Sequence, residues 1–263
     1  RENSLIKNAA TEHGSSRFGA GLYALGANVD ILNTTVSANS GHEGAGLANI
    51  GGGTMRLSFV NVVGNTSDYE GGGIQNELST LIINSSRIAD NTSVNVGGGL
   101  YNFAGNVTLN KVEVINNETG AKGGGIWNSG RATAAIGKVT IANSVIRDNS
   151  ANDGGGVGNT RDSLLTIRDT TIADNSAVRH GGGIANINTE SFAPGTVSLL
   201  RTTLSGNTAG QYGGGLFSIK NATNIVDSTI INNQAFEGGG LANLDAGTLK
   251  VSTTRLENNL AAN

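Results

Sequence analysis

Four acidic residues recur at one position of the chain, three residues before the last glycine of a glycine block. They are Glu43, Glu70, Asp153 and Glu237. Carboxylate oxygens are the ligands that Ca²⁺ prefers, and Glu43 and Glu70 precede consecutive blocks, so this pair is a candidate calcium site. Val96 and Lys122 stand at the same position before other blocks, which fits a solvated turn. The turn is the favoured interpretation, and no metal ion is predicted.

Carboxylates also gather just before a second recurring residue, an asparagine. The residues at that place include Asp90, Asn116, Asp148 and Asp174. Enzymes that cleave polysaccharides need converging carboxylates, and Asp148 and Asp174 are expected about 5 Å apart on neighbouring strands. However, Asp and Asn are also common residues of tight corners. The pattern therefore favours a corner, and no catalytic residue is predicted.

The least regular surface of the chain is predicted where two six-residue insertions follow Asn128 and Asn186. Both insertions fall at the same point of the repeat, two units apart, so they are expected to form one ridge. Irregular surface loops often carry recognition, although tolerated variation in loop length is the alternative. The predicted ligand or partner surface comprises Arg131, Arg161, Asp162, Glu190 and Phe192.

One segment, GAGLYA at 19–24, formally matches the glycine fingerprint of dinucleotide-binding folds. A single match of this kind is a weak signal. The same frame recurs nine times along the chain, usually ending in asparagine, and a strand–helix–strand unit does not surround it. The segment is therefore interpreted as one corner of a repeat, and no cofactor is predicted.

An internal repeat organises all of these positions. Asparagines recur in steps of 26 residues, lengthened to 32 at the two insertions, and each follows an aliphatic residue three positions earlier. The predicted ladder consists of Asn39, Asn65, Asn91, Asn117, Asn149, Asn175, Asn207, Asn233 and Asn259. Side chains of asparagine can hydrogen-bond to one another when identical segments stack. A constant repeat of this length predicts a solenoid.

The apolar residues within each unit alternate with other residues, as in VTLNKVEVINN at 107–117. A period of two indicates strands, and each unit is interpreted as three short strands joined by three turns. The aliphatic columns must face one interior. The sequence therefore predicts an all-β, single-stranded, right-handed parallel β-helix of about nine to ten coils, forming one domain over residues 1–263.

The composition excludes several classes of protein. The chain has 263 residues, a net charge of −3 and no cysteine. This charge is wrong for a protein that coats nucleic acid, and disulfides and thiolate metal sites are excluded. No stretch of about 18 consecutive apolar residues is present, so direct insertion into a membrane is not predicted.

The paired motifs GGGI or GGGL and IADN, VINN or IINN resemble the GGA[ILV] and FxxN motifs of chlamydial polymorphic outer membrane proteins. Similar repeats occur in many secreted bacterial β-helix proteins. The resemblance covers almost the whole chain, with aliphatic residues in place of the phenylalanine. It implies a β-helix fold, a location outside the cell or on the bacterial cell surface, and an adhesin-like role.

The predicted function is that of a non-enzymatic extracellular structural protein, either a surface stalk or adhesin or a filament subunit. Both ends begin or stop inside a coil, so either the chain continues in a longer protein or another subunit covers each end. End-to-end self-association and binding to cell-surface glycans or proteins are the expected partner interactions. The alternative is a polysaccharide-binding or polysaccharide-degrading protein similar to pectate lyases.

Overall fold

The computed structural model describes residues 3–6, 18–131, 136–160, 162–188 and 193–262. These residues form strands and turns without a helix, and every strand pairs in parallel with the equivalent strand of the next coil. The predicted all-β, parallel β-helix is therefore confirmed, with coils of about 26 residues. The right-handed winding stays a prediction.

Each coil contributes one strand to each of four sheets, named I to IV in the order in which the chain meets them after a glycine block. Sheet I contains Leu22–Leu25, Leu47–Ile50, Ile74–Glu77, Leu100–Phe103, Ile126–Ser129, Val157–Thr160, Ile184–Ile187, Leu216–Ile219 and Leu241–Leu244. Sheet II contains Val29–Leu32, Thr54–Ser58, Thr80–Asn84, Asn106–Asn110, Gly137–Ala142, Ser163–Arg168, Thr196–Leu200, Ala222–Val226 and Thr248–Ser252. Sheet III contains Asn3–Ile6, Thr34–Ser37, Asn61–Val63, Arg87–Ala89, Glu113–Ile115, Val145–Arg147, Thr171–Ala173, Thr203–Ser205, Thr229–Ile231 and Arg255–Glu257. Sheet IV contains Ser40–Glu43, Thr66–Glu70, Thr92–Ser93, Glu118–Thr119, Ser150–Asp153, Ser176–His180, Thr208–Ala209, Gln234–Ala235 and Leu260–Ala261.

The prediction of three strands in each coil was wrong, because sheet IV supplies a fourth. Several of its strands have only two residues, such as Thr92–Ser93 and Glu118–Thr119. The position that faces inward in this sheet holds a small residue, for example Ser93, Thr119 or Ala177, and all three are buried. A short strand without large apolar residues gives no period-two signal, so the sequence pattern could not reveal it.

The aliphatic columns form one continuous core. In sheet III, Val62, Ile88, Val114 and Ile146 are register partners on consecutive coils, and each is at most 1% exposed. Burying an aliphatic side chain of this size contributes about 1.5–3 kcal/mol. The predicted stacking of equivalent positions is thus confirmed, and it is the main source of stability of the solenoid.

The predicted asparagine ladder is confirmed along its whole length. From Asn39 to Asn233, each side-chain Nδ2 donates to Oδ1 of the equivalent asparagine on the next coil, at 2.8–3.0 Å. The same Oδ1 also accepts the backbone N–H of the preceding asparagine, as in Asn91 to Asn117 at 3.1 Å. These side chains are buried at the corner between sheets III and IV, where they satisfy backbone groups that the turn leaves unpaired.

A second asparagine ladder lies in sheet I and runs through Asn49, Asn76, Asn102, Asn128, Asn159 and Asn186. Ala24 and Ser218 stand in this column where an asparagine is missing. The two carboxamide oxygens next to these gaps, Oδ1 of Asn49 and Oδ1 of Asn243, are buried without a hydrogen-bond partner. The interrupted column therefore explains both unsatisfied acceptors.

The glycine block needs glycine for different reasons at its first and third positions. Gly97 has φ +64°, which L-residues with a side chain rarely adopt. A Cβ atom on Gly99 would lie 2.6 Å from the carbonyl oxygen of Gly125 on the next coil and 3.0 Å from Cγ of Asn117. The middle position of this block is also crowded, since a Cβ atom on Gly98 would lie 2.3 Å from the carbonyl oxygen of Glu118, although Ala45 occupies the equivalent position on an earlier coil. The block thus lets the chain turn sharply while the coils stay in close contact.

Candidate functional site

The residues three positions before the last glycine of each block form a continuous column between sheets IV and I. Parallel bridges connect Phe18, Glu43, Glu70, Val96, Lys122, Asp153, His180, Tyr212 and Glu237 in this order. We call this set the corner column. It brings aromatic, acidic and basic side chains onto neighbouring coils, about 4.8 Å apart.

The outer face of sheet I lies beside the corner column. Side chains alternate along its strands, so Leu100 and Asn102 point into the solenoid while Tyr101 points outward. Equivalent outward positions on other coils hold Gln75, Trp127 and Phe217. These four outward residues are nevertheless buried. The corner column therefore covers them. Two neighbouring pockets lie between the column and sheet I, and we call the two together the groove.

One pocket of this groove has a volume of about 270 Å³ and an apolar floor that includes Phe217, Ile219 and Leu244. The ring of His180 stacks on Phe217, with ring centroids 4.7 Å apart, and on Tyr212 at 5.6 Å.

A buried carboxylate, that of Asp153, forms the polar side of this pocket. Asp153 is 2% exposed, and it accepts hydrogen bonds from Arg179 and from Nδ1 of His180, the latter at 2.8 Å. These two partners offset the cost of burying the carboxylate. They also fix the orientation of the His180 ring against Phe217.

A second pocket, of about 300 Å³, adjoins the first and is lined by Asn95, Val96, Lys122, Trp127 and Thr160 among others. Nζ of Lys122 lies 5.5 Å from the centroid of the Trp127 ring, a cation–π contact. The Trp127 ring also lies over Gly158, because a Cβ atom there would be 2.1 Å from Cε3 of Trp127. Lys122 lines both pockets.

The corner column continues beyond Val96 of the groove to the predicted Glu43 and Glu70 pair. The adjacency of these two residues is confirmed because they are register partners. Gln75 donates from Nε2 to Oε2 of Glu43 at 2.8 Å, and Asn95 donates from Nδ2 to Oε1 of Glu70 at 3.1 Å. Burial and, to a lesser extent, the nearby Glu43 carboxylate raise the pKa of Glu70 to about 7. Burial, the Glu70 charge and the other nearby carboxylates also raise the pKa of the Tyr101 hydroxyl.

We expect the stability of the protein to decrease between about pH 5 and pH 8 because of Glu70. The folded state binds the Glu70 proton more tightly than the unfolded chain does, so this stabilisation is complete below the ordinary pKa of glutamate and is lost as pH rises through about 7. Glu43, Glu77 and His42 are the other charged or titratable groups that act on Glu70, together with the Asn95 amide. Because solvent reaches the carboxyl group, we expect an effect of only about 1 kcal/mol.

Thermal unfolding of the wild type and of Glu70→Gln at several pH values measures this effect. Their difference in melting temperature should change with pH, whereas Glu113→Gln, at an exposed position of sheet III, should follow the wild type. Parallel profiles for the wild type and Glu70→Gln would show that Glu70 ionises normally.

The structure also bears on the predicted metal site and on the carboxylates that precede the ladder asparagines. In the part of the chain that the structure describes, no group of three or more histidine, aspartate or glutamate side chains could hold a metal ion. The candidate calcium site is thus limited to the Glu43 and Glu70 pair. The positions just before the ladder asparagines are corners, because Asp90, Asn116, Asp148 and Asp174 all have φ between +53° and +57°.

The predicted ridge is described only in part, because Arg161, Glu190 and Phe192 lie outside the described residues. Arg131 is exposed, and its charge lowers the pKa of Glu77, which burial and Glu43 raise. Asp162 lies between Gly137 and Ala193 of the two neighbouring coils, since its backbone oxygen accepts from the Gly137 N–H and its own N–H donates to the Ala193 oxygen. The shared ridge and its role in recognition stay predictions.

Sequence reasoning missed most of the groove, including Trp127, Arg179 and Phe217. It also missed the buried outward residues Gln75 and Tyr101 on neighbouring coils of sheet I. One signal was present: the residue after the first aliphatic residue of each sheet I strand is aromatic in four of nine coils, namely in Tyr23, Tyr101, Trp127 and Phe217. An outward column with this many aromatic residues is unusual for a solvated face.

Within the described ranges, no helix has the length and apolar character needed to cross a membrane. No family model matches the chain, and no curated protein and no solved structure matches it either.

Proposed function

We propose that this protein is a non-enzymatic surface protein that binds an extended polysaccharide in the groove beside sheet I. The observation that carries this proposal is that two neighbouring pockets share Lys122 and follow one another along the corner column. A groove of this kind suits a chain-like ligand better than a compact one.

The chemistry of the groove matches that of a sugar chain. Sugar rings present apolar C–H faces together with hydroxyl groups. Apolar and aromatic groups such as Trp127 and Phe217 line the floor, while Lys122, Asp153 and His180 offer hydrogen-bonding groups at the side. Ligand sites typically combine an apolar lining with a few placed polar groups. Because equivalent groups recur about every 4.8 Å, a polymer meets a new set of side chains at each coil.

A location outside the cell is part of the same proposal. It is supported by the likeness of the repeats to those of secreted surface proteins, and by the solenoid fold, which presents long binding surfaces. The rod would hold the groove away from the cell surface, as a stalk or adhesin does.

Removing either Lys122 or Tyr212 is expected to weaken polysaccharide binding at least tenfold. Both side chains line the pockets and are only partly buried, so their loss removes ligand contacts without opening the core. A tenfold change corresponds to about 1.4 kcal/mol, the effect of one good contact. Isothermal titration calorimetry with hexamers of glucose, glucosamine, N-acetylglucosamine and galacturonate measures the affinities for Lys122→Ala, Tyr212→Ala and the wild type.

Lys138→Ala is the matched control, because Lys138 is an exposed lysine of sheet II, away from the groove. It should bind as the wild type does. Equal affinities of all four proteins would place the ligand elsewhere, and the absence of binding to every hexamer would overturn the proposal. The appearance of new reducing ends after incubation would contradict its non-enzymatic part.

A further inference from the structure

The acidic pair of the corner column, Glu43 and Glu70, lies next to the groove and has no cationic partner among the described residues. Glu43 and Glu70 stand on consecutive rungs of the corner column, and neither makes an ion pair in the described part of the chain. The nearby His42 is bound to Asp68, with 2.5 Å between Nδ1 and Oδ1. Two neighbouring carboxylates without a cation repel each other. A positively charged ligand group would remove that repulsion.

Gln75 provides an unpaired hydrogen-bond acceptor beside the two carboxylates. The residue is 1% exposed, and its Nε2 already donates to Glu43. Its Oε1 atom is buried and has no partner. A buried acceptor without a donor destabilises the protein, so a ligand that donates a hydrogen bond to Oε1 gains affinity from this contact. Gln75 is also the register partner of Tyr101, which is in turn the register partner of Trp127 in the groove.

The ligand group that suits Glu43, Glu70 and Gln75 is a cation that donates hydrogen bonds. A metal ion fits poorly, because the described residues contain no group of three or more acidic or histidine side chains able to surround one. A primary ammonium group has three N–H donors and a full positive charge. Its N–H···O distances of about 2.8–3.0 Å also let it reach acceptors that are further apart than the ligands of Ca²⁺.

We propose that Glu43, Glu70 and Gln75 bind a primary ammonium group, carried by an amino sugar of the polysaccharide in the groove. The ammonium group donates to Oε1 of Gln75 and to the two carboxylates, while the sugar ring continues toward Trp127. This inference rests on the proposed function, because it assumes that the glycan lies in this groove. It specifies the chemical class of the glycan, namely a chain with free amines.

Two hexamers that differ only at the nitrogen test the inference. Calorimetry compares the β-1,4-linked hexamer of glucosamine with its N-acetylated counterpart, which has the same chain but no charge. We expect the glucosamine hexamer to bind at least tenfold more tightly. The variants Glu70→Gln and Gln75→Leu should reduce that preference to less than threefold, and Glu113→Gln on sheet III should preserve it. Circular dichroism spectra would verify that each variant is folded.

The possible results separate the inference from the proposed function. Equal affinities for the two hexamers would overturn the ammonium site but leave polysaccharide binding intact. Binding of spermidine as tightly as the glucosamine hexamer would show that the amine alone is recognised, which would overturn the assignment to an amino sugar. A preference that survives in both Glu70→Gln and Gln75→Leu would overturn the placement of the site. If no oligosaccharide binds to the wild type, both proposals are wrong.

Discussion

Replacing Asn117 with alanine is expected to lower the free energy of unfolding by at least about 3 kcal/mol. The Asn117 side chain donates from Nδ2 to the backbone oxygen of Ile88 at 3.0 Å and to Oδ1 of Asn149 at 3.0 Å. Its Oδ1 accepts from both the backbone N–H and Nδ2 of Asn91. Alanine would leave these buried partners without hydrogen bonds, and each unsatisfied group costs about 1–3 kcal/mol.

Asn116→Ala is the matched control, since Asn116 precedes Asn117 but is exposed. Its Nδ2 donates only to the exposed Asp90 carboxylate. Alanine also tolerates the left-handed conformation there, as Ala38 does with φ +55° on an earlier coil. Urea denaturation should show a loss below about 1 kcal/mol for this variant. A similar loss for Asn116→Ala and Asn117→Ala would mean that the ladder does not stabilise the corner.

The second large effect is expected for Gly99→Ala, which should destabilise the protein by about 3 kcal/mol. The new methyl group would lie 2.6 Å from the Gly125 carbonyl oxygen, which is part of the backbone of the next coil. Relief of this contact requires the two coils to move apart, and Gly99 N–H also donates to the Gly124 oxygen at 3.0 Å in the same interface. Overpacking of this kind commonly costs about 1–3 kcal/mol or more.

Gly64→Ala separates the steric clash from the effect of backbone conformation. Gly64 has φ +64°, but no atom lies within 4 Å of its added Cβ. Ala38 occupies the same corner position one coil earlier. The strain of the left-handed conformation is partly offset by the lower entropy of the unfolded chain, so denaturation midpoints of Gly64→Ala and the wild type should nearly coincide. If Gly99→Ala were equally mild, the contact between neighbouring coils would be looser than the structure indicates.

The sequence alone was sufficient to predict the stacking of the coils. Ile88, Val114 and Ile146 repeat the same side-chain type at the same place in each unit, and only a solenoid brings such residues into one core. The pairing of Glu43 with Glu70 followed from the same alignment. Repeats make long-range contacts predictable, because the partner of each residue is the equivalent residue one unit away.

The groove could not be predicted in the same way. Trp127 and Phe217 face outward in sheet I, and alternation alone would expose them. They are buried because side chains of the corner column pack against their rings, namely Lys122 against Trp127 and His180 against Phe217. The unsatisfied oxygen of Gln75 also depends on the rotamer of one side chain. Such features depend on side-chain direction and on contacts between adjacent columns, which the repeat period does not specify.

The asparagine ladder has a direction, because every Nδ2 donates toward the later coil and none toward the earlier one along the chain of side-chain amides. The amide dipoles therefore add up in series, and each bond polarises the next. The energetics resemble a one-dimensional zipper in which each coil interacts only with its two neighbours. Loss of the ladder asparagine in an interior coil would divide the solenoid into two parts that unfold independently. The same loss in an outermost coil would unfold only that end.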